Sequence, residues 1–126
     1  MTSDDLPEDV LRFIREQVDT VPHLEALLLL WESAPRVWRP DELAARLYID
    51  VDTTKRILSD FARRKMLVAS AQGHAYDTSN EHHALLPRVA ETYRRQLVQV
   101  ARFIHAKGSA AMQEFARAFK FKQDER

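Results

Sequence analysis

Apolar residues recur along this chain first at helical spacing, then briefly at strand spacing, then at helical spacing again. Val10, Leu11, Ile14, Val18 and Val21 fall on one stripe, which predicts an amphipathic helix running to about Thr20. Asp5, with Glu8 three residues on, forms a capping pattern at its start. Pro22 breaks the chain. The run HLEALLLLWES that follows is apolar nearly all round, as expected of a helix buried at the centre of a fold. Ala34-Pro35-Arg36 reads as a turn and Val37-Trp38 as a short strand.

Residues 39 to 77 carry the most distinctive order of elements. Leu43, Ala44 and Leu47 share one helical face, Pro40 suits a first helical turn, and Asp41 and Glu42 sit where the helix dipole favours anions. After the break YIDVD, a second helix is predicted from Val51 to Arg64, with Asp50 as its N-cap and Thr54, Leu58 and Phe61 on the inward stripe beside Ile57. Asp52, Thr53, Lys55, Arg56, Ser59 and Asp60 are then outward, followed by Arg63, Arg64 and Lys65. Two β-type runs, MLVAS and HAYD, flank Ala71-Gln72-Gly73, where Gly73 can take the positive φ of a tight turn.

Thr78 to His83 is a polar connection, and a long helix is predicted from Ala84 or Leu85 to Lys107, with Pro87 in its first turn. Leu86, Val89, Ala90, Tyr93, Leu97, Val100, Ala101 and Ile104 form its seam, while Val98 and Phe103 add a second apolar surface. One surface is expected on the chain's own core and the other on a second copy, which makes a homodimer the expected assembly; burial of one wide stripe within a monomer is the alternative. After Gly108-Ser109, Met112, Phe115, Ala116 and Phe119 repeat at helical spacing beside Arg117, Lys120 and Lys122. This C-terminal helix is expected to dock on the body or a second subunit, with a protein partner or a membrane surface as further readings.

Helix, helix and hairpin in this order form the pattern of a winged helix-turn-helix. Leu43-Ala44, Leu47, Ile49, Thr53, Arg56, Leu58 and Met66-Leu67 resemble the corresponding segment of winged-helix transcriptional regulators of the broad MarR or PadR kind. Tyr48 stands in the usual Gly slot, Asp50-Val51 replaces Ser-Pro, and Lys65 replaces the helix-ending Gly. The resemblance implies a mainly α fold with a small β-hairpin wing, flanked by N- and C-terminal helices. It divides a single domain, 1–126, into N-terminal helices (5–35), helix-turn-helix and wing (36–78) and C-terminal helices (79–126). It also implies a bacterial-type, dimeric, sequence-specific DNA-binding regulator that inserts residues 51–64 into the major groove of double-stranded DNA. Thr53, Lys55, Arg56 and Ser59 would meet the DNA, with Arg63, Arg64 and Lys65 near phosphates.

Charge qualifies that picture. The chain has 19 Lys and Arg against 19 Asp and Glu, a formal net charge of zero. Residues 1–50 hold 5 basic and 11 acidic residues, leaving 14 and 8 for residues 51–126. An acidic front and a basic back result, if folding does not interleave them. Asp50 and Asp52 flank the predicted recognition helix with carboxylates, and the wing tip SAQGHA has no Lys or Arg. These features favour a second reading, a winged-helix protein–protein interaction module without DNA binding, and a small-molecule sensor with Trp31 and Trp38 lining a pocket is a third.

Other chemistry finds little support. The absence of cysteine removes disulfides and thiol chemistry, and two glycines provide no phosphate-cradling loop. No catalytic constellation, metal site or cofactor is expected. His23, His74, His82, His83 and His105 lack metal-ligand spacing and read as surface or capping residues. The longest apolar run, ALLLLW, is too short to span a bilayer, so no membrane insertion is expected; with no leader read at the N-terminus, a cytoplasmic location is expected.

Overall fold

Helix α2 (Val21–Glu32) is the element around which the others are arranged. The computed structural model describes residues 6–108, which are mainly helical with one small antiparallel hairpin. Pro22 does not separate α2 from a preceding break. It sits inside the first turn of the helix, where the N–H it lacks has no intrahelical partner, and Thr20 caps that turn by accepting from the His23 backbone N–H at 3.2 Å. Leu24, Ala26, Leu27, Leu28 and Leu30 are all buried, so α2 gives most of its circumference to neighbours. Helix α1 (Glu8–Gln17) ends earlier than its apolar stripe, with Val18 buried just beyond it in extended backbone. Pro7 precedes α1 without a side-chain cap, and the Asp5 cap expected from sequence lies outside the described residues.

Helices α3 (Pro40–Leu47) and α4 (Val51–Arg63) start where their sequences indicate. Glu42 Oε1 accepts from the Arg39 backbone N–H at 3.0 Å, closing the first turn of α3. Asp50 caps α4, accepting from the Thr53 N–H at 2.9 Å and from the Thr53 hydroxyl at 2.7 Å. Leu43 and Ala44 of α3 and Thr54, Ile57, Leu58 and Phe61 of α4 turn inward, and the two helices pack on each other and on α2.

The backbone between and after these helices is unusual for its residues. Tyr48 has φ 59° and Lys65 φ 65°, the left-handed region where a side chain costs about 1–2 kcal/mol. A glycine would meet no such penalty at either position. Both side chains are exposed, Tyr48 at 94%, so packing does not offset the strain.

Strands β1 (Leu67–Ser70) and β2 (Gly73–Tyr76) pair antiparallel, with Leu67 opposite Tyr76 and Ser70 opposite Gly73. Trp38 joins the free side of β2 through two hydrogen bonds, its N–H to His74 O at 2.7 Å and the His74 N–H to its own O at 2.9 Å. Period-two alternation puts Leu67, Tyr76 and Trp38 inward, all buried, and leaves Val68 exposed, with Val37 exposed beside Trp38. Gly73 is obligatory here: its φ is 139°, and a Cβ on it would lie 2.1 Å from Trp38 O. The Tyr76 hydroxyl bridges Asn80 Nδ2 (2.8 Å) and His83 Nδ1 (2.9 Å), tying the polar connection to the hairpin.

The continuous helix expected from Ala84 or Leu85 to Lys107 is interrupted. A short 3-10 turn (His83–Leu85) leads into α5 (Leu86–Arg95); Gln96 then leaves helical geometry at φ −129°, ψ 50°, and residues 97–108 (α6) are helical again. No Gly or Pro occurs at the break. Its consequence is tertiary: Val100 and Ile104 reach the core together with Leu86 and Val89, whereas Leu97, expected in the same seam, is left 51% exposed. The Tyr93 hydroxyl donates to Glu25 Oε2 at 2.9 Å and holds α5 on α2; burial and that carboxylate push its pKa up to about 12. The C-terminal helix expected around Met112 to Phe119 lies outside the described residues.

Two substitutions test this backbone. Gly73→Ala is expected to lower unfolding free energy by roughly 2–3 kcal/mol in urea titrations, because the methyl group meets backbone that cannot yield. Lys65→Gly is expected to raise it by about 0.5–1 kcal/mol, since relief of the left-handed strain exceeds the added unfolded-chain entropy.

Candidate functional site

Helix α4 divides its surface between the core and water. Thr54, Ile57, Leu58 and Phe61 are buried, and Thr54 turns its hydroxyl onto Asp50 O at 2.9 Å, which satisfies it inside. Val51, Asp52, Lys55, Arg56, Ser59 and Arg63 are exposed along the opposite face. Lys55 and Ser59 make no hydrogen bond among the described residues, so their polar groups are free to meet a partner. Arg56 leans toward the Thr53 hydroxyl at 3.3 Å, a weak contact at an exposed position. Thr53 itself is half-buried and engaged with Asp50, which leaves little of its donor capacity for a partner.

The cap changes the meaning of Asp50. Its carboxylate is held below the usual range by hydrogen bonds from the Thr53 hydroxyl and N–H, and both oxygens serve the helix start. The α4 dipole adds favourable charge at the same place. Asp50 and Asp52 are both exposed, but Asp50 is committed to the fold as the cap of α4 and Asp52 is not.

The other end of α4 departs from the sequence expectation. Asp60 does not face outward: its Oδ2 accepts from His23 Nε2 at 3.0 Å, while Oδ1 accepts from Arg63 at 2.9 Å. His23 is only 8% exposed, with Nδ1 2.7 Å from the Thr20 hydroxyl and its ring edge-on to Phe61 at 5.6 Å. The reading of His23 as a surface residue is thus corrected; it clamps α2 to α4. Helical periodicity places position 60 at the margin of the inward stripe, and the buried imidazole on α2 draws the carboxylate inward. Nothing in local spacing identifies that partner, because it lies 37 residues away.

Arg64 and Arg63 are drawn into the same region. Arg64 donates to Gln17 O at 2.5 Å and pairs with Asp19 at 3.3 Å, its side chain only 24% exposed. It fixes the corner between α1 and α2 and is taken out of the set free to meet phosphate. Arg63 remains 66% exposed but already pairs with Asp60, and Lys65 is exposed with no partner among the described residues. Of the seven residues expected at a nucleic-acid surface, Lys55, Arg56, Ser59 and Arg63 share the open face, Arg63 already paired with Asp60, and Lys65 lies past its C-terminal end.

Asp19, His23 and Asp60 bring three possible metal-ligand atoms within 4.8 Å of one another. Their chemistry argues for ion pairing: Arg64 sits on Asp19, Arg63 on Asp60, and His23 already uses Nε2 toward Asp60. Of the remaining histidines, His105 is exposed and the other three take structural parts. His82 packs edge-on to Phe13, His83 meets Tyr76, and burial pushes the His74 imidazole pKa down in the hairpin. Trp38 is core, with the Arg36 guanidinium 3.7 Å above its ring and its indole N–H donating to Ser33 at 2.9 Å. An open depression of about 550 Å³ lies beside the hairpin tip, lined by Arg39, Pro40 and residues 70–74 rather than by either tryptophan. Among the described residues, no helix is long and apolar enough to cross a membrane.

Comparison with protein-family models, with curated proteins and with solved structures returned no match.

The clamp makes stability depend on pH in a defined direction. The His23 hydrogen bond, aided by Arg63, holds the Asp60 pKa below its ordinary value against the opposing effect of burial. Asp60 therefore contributes stability above pH ~4 that disappears as pH falls through its lowered folded-state pKa. Asp60→Asn is expected to destabilise by about 1–3 kcal/mol near neutral pH, and the gap from the unmodified protein should close in acid. Urea unfolding from pH 7 down to pH ~2 measures both curves.

Proposed function

We propose that the chain is a winged helix-turn-helix protein that binds double-stranded DNA as a transcriptional regulator, with α4 entering the major groove. The observation that carries this reading is the open face of α4, where Lys55, Arg56 and Ser59 project together and the inward side is wholly used by the core. Lys65 adds a free cation just beyond the helix, where a phosphate would pass. The backbone supports the same architecture. Tyr48 and Lys65 replace the two glycines of the winged-helix pattern, yet both keep the left-handed conformation glycine supplies there.

In the proposed mechanism Arg56 and Lys55 provide base-edge and phosphate contacts from the first turns of α4, Ser59 a hydroxyl one turn on, and Lys65 a phosphate contact at the far end. Asp52 discriminates against phosphate at its own position and is placed to accept from a cytosine amino group. A dimer would set two such helices about one DNA turn, ~34 Å, apart. Leu97 and Val98, half-exposed at the start of α6, are apolar residues that would meet a second copy in such a dimer.

One observation favours a protein partner instead. The hairpin tip, Ser70 to His74, carries no Lys or Arg, and the outer side of the small sheet shows Val37 and Val68, which suit an apolar contact better than a phosphate backbone.

The double variant Lys55→Ala, Arg56→Ala separates the two. It is expected to keep the thermal midpoint and to abolish binding to a selected DNA site, with any residual binding showing a log–log salt slope smaller by about 2. Unchanged affinity and slope in fluorescence anisotropy would remove the DNA reading.

A further inference from the structure

Tyr48 combines two properties that a turn residue ordinarily keeps apart. Its backbone occupies the left-handed region at φ 59°, where a bulky side chain is an outlier, and its side chain is 94% exposed. The turn needs that backbone: the Tyr48 N–H closes the end of α3 on Ala44 O, and Ile49 N–H reaches the same oxygen at 3.1 Å. The turn does not need the ring. No hydrogen bond or ring contact of the Tyr48 side chain occurs among the described residues, and glycine would satisfy the same backbone geometry without strain. A strained residue whose side chain supports nothing in its own fold points to a use outside it.

The location narrows that use. Tyr48 lies two residues before the Asp50 cap, at the end of α4 from which Val51, Asp52, Lys55 and Arg56 project. A side chain there stands at the rim of whatever the open face of α4 meets. The phenol offers a hydroxyl donor on a rigid apolar ring, the combination that suits a phosphate oxygen flanked by a deoxyribose. Resting on the DNA reading above, we propose that Tyr48 is a DNA-contacting residue, its hydroxyl donating to a backbone phosphate beside the groove that α4 enters and its ring lying against the adjoining sugar. Tyr48 thereby supplies a neutral phosphate contact near the Asp52 carboxylate, where a carboxylate alone would weaken attachment.

The test uses the full chain and duplexes selected by it from a random DNA pool. Tyr48→Gly is expected to raise the thermal midpoint, because strain is relieved, and to weaken binding to the selected duplex by about tenfold or more in fluorescence anisotropy. Tyr48→Phe, which keeps ring and strain, is expected to leave the midpoint unchanged and to weaken binding by about fivefold. A Tyr48→Gly protein that binds as tightly as the unmodified one overturns the proposal while leaving the α4 reading in place. A lower midpoint for Tyr48→Gly also overturns it, since the ring would then be serving the fold. If the unmodified protein enriches no duplex at low salt, the DNA reading and the Tyr48 contact fall together.

Discussion

Helix α2 has almost no side to give to water, and that constraint decides where the other elements sit. Its buried Leu24, Ala26, Leu27, Leu28 and Leu30 must be covered from several directions, and α3, α4, α5 and the β2 strand each pack on it. Burying a leucine is worth about 1.5–3 kcal/mol, so exposing any side of α2 would cost more than a typical surface contact returns. The position of α4 follows from this. Its apolar stripe covers α2 from one side, and the His23 to Asp60 hydrogen bond sets the helix at one angle and depth. An apolar stripe alone permits small rotations; a directional bond between a buried imidazole and a carboxylate does not. The residues left facing outward on α4 are thereby specified by contacts on its hidden side.

The legible parts of this chain are those governed by local spacing. Both helices of the central segment begin at Pro40 and Val51 as periodicity and capping indicate, the Asp50 cap is visible as a residue type in the right place, and the hairpin turns where Gly73 permits it. The illegible parts depend on partners distant in sequence. Asp60 resembles any outward helical carboxylate until His23 comes beside it, and Arg64 resembles a free cation until Gln17 O and Asp19 occupy it. The interruption at Gln96 has no local signal, because Arg94-Arg95-Gln96-Leu97 contains nothing that ends a helix and the turn serves the burial of Val100 and Ile104. Long-range pairing of charged groups is where pattern reasoning from one chain fails, since charge tells which sign is sought and not where it is found.

The same pairings sharpen the candidate surface. Four charged groups near α4, Asp50, Asp60, Arg63 and Arg64, are engaged in capping or in ion pairs, and those pairings leave a smaller open set of Asp52, Lys55, Arg56 and Lys65. A chain of zero formal net charge can still present a locally basic edge when its carboxylates are drawn into the fold. The scale of that edge is modest, which suits recognition through a few directed contacts better than general attraction to polyanions.

The most direct test is an amide-resolved NMR titration of the full chain with a selected DNA duplex. Contact through α4 predicts shift changes concentrated on residues 48–59 and at Lys65, with Ser70 to His74 at the hairpin tip and the Asp19 to His23 corner left unmoved. Changes confined to the sheet face around Val37 and Val68, or none at low salt, would contradict it.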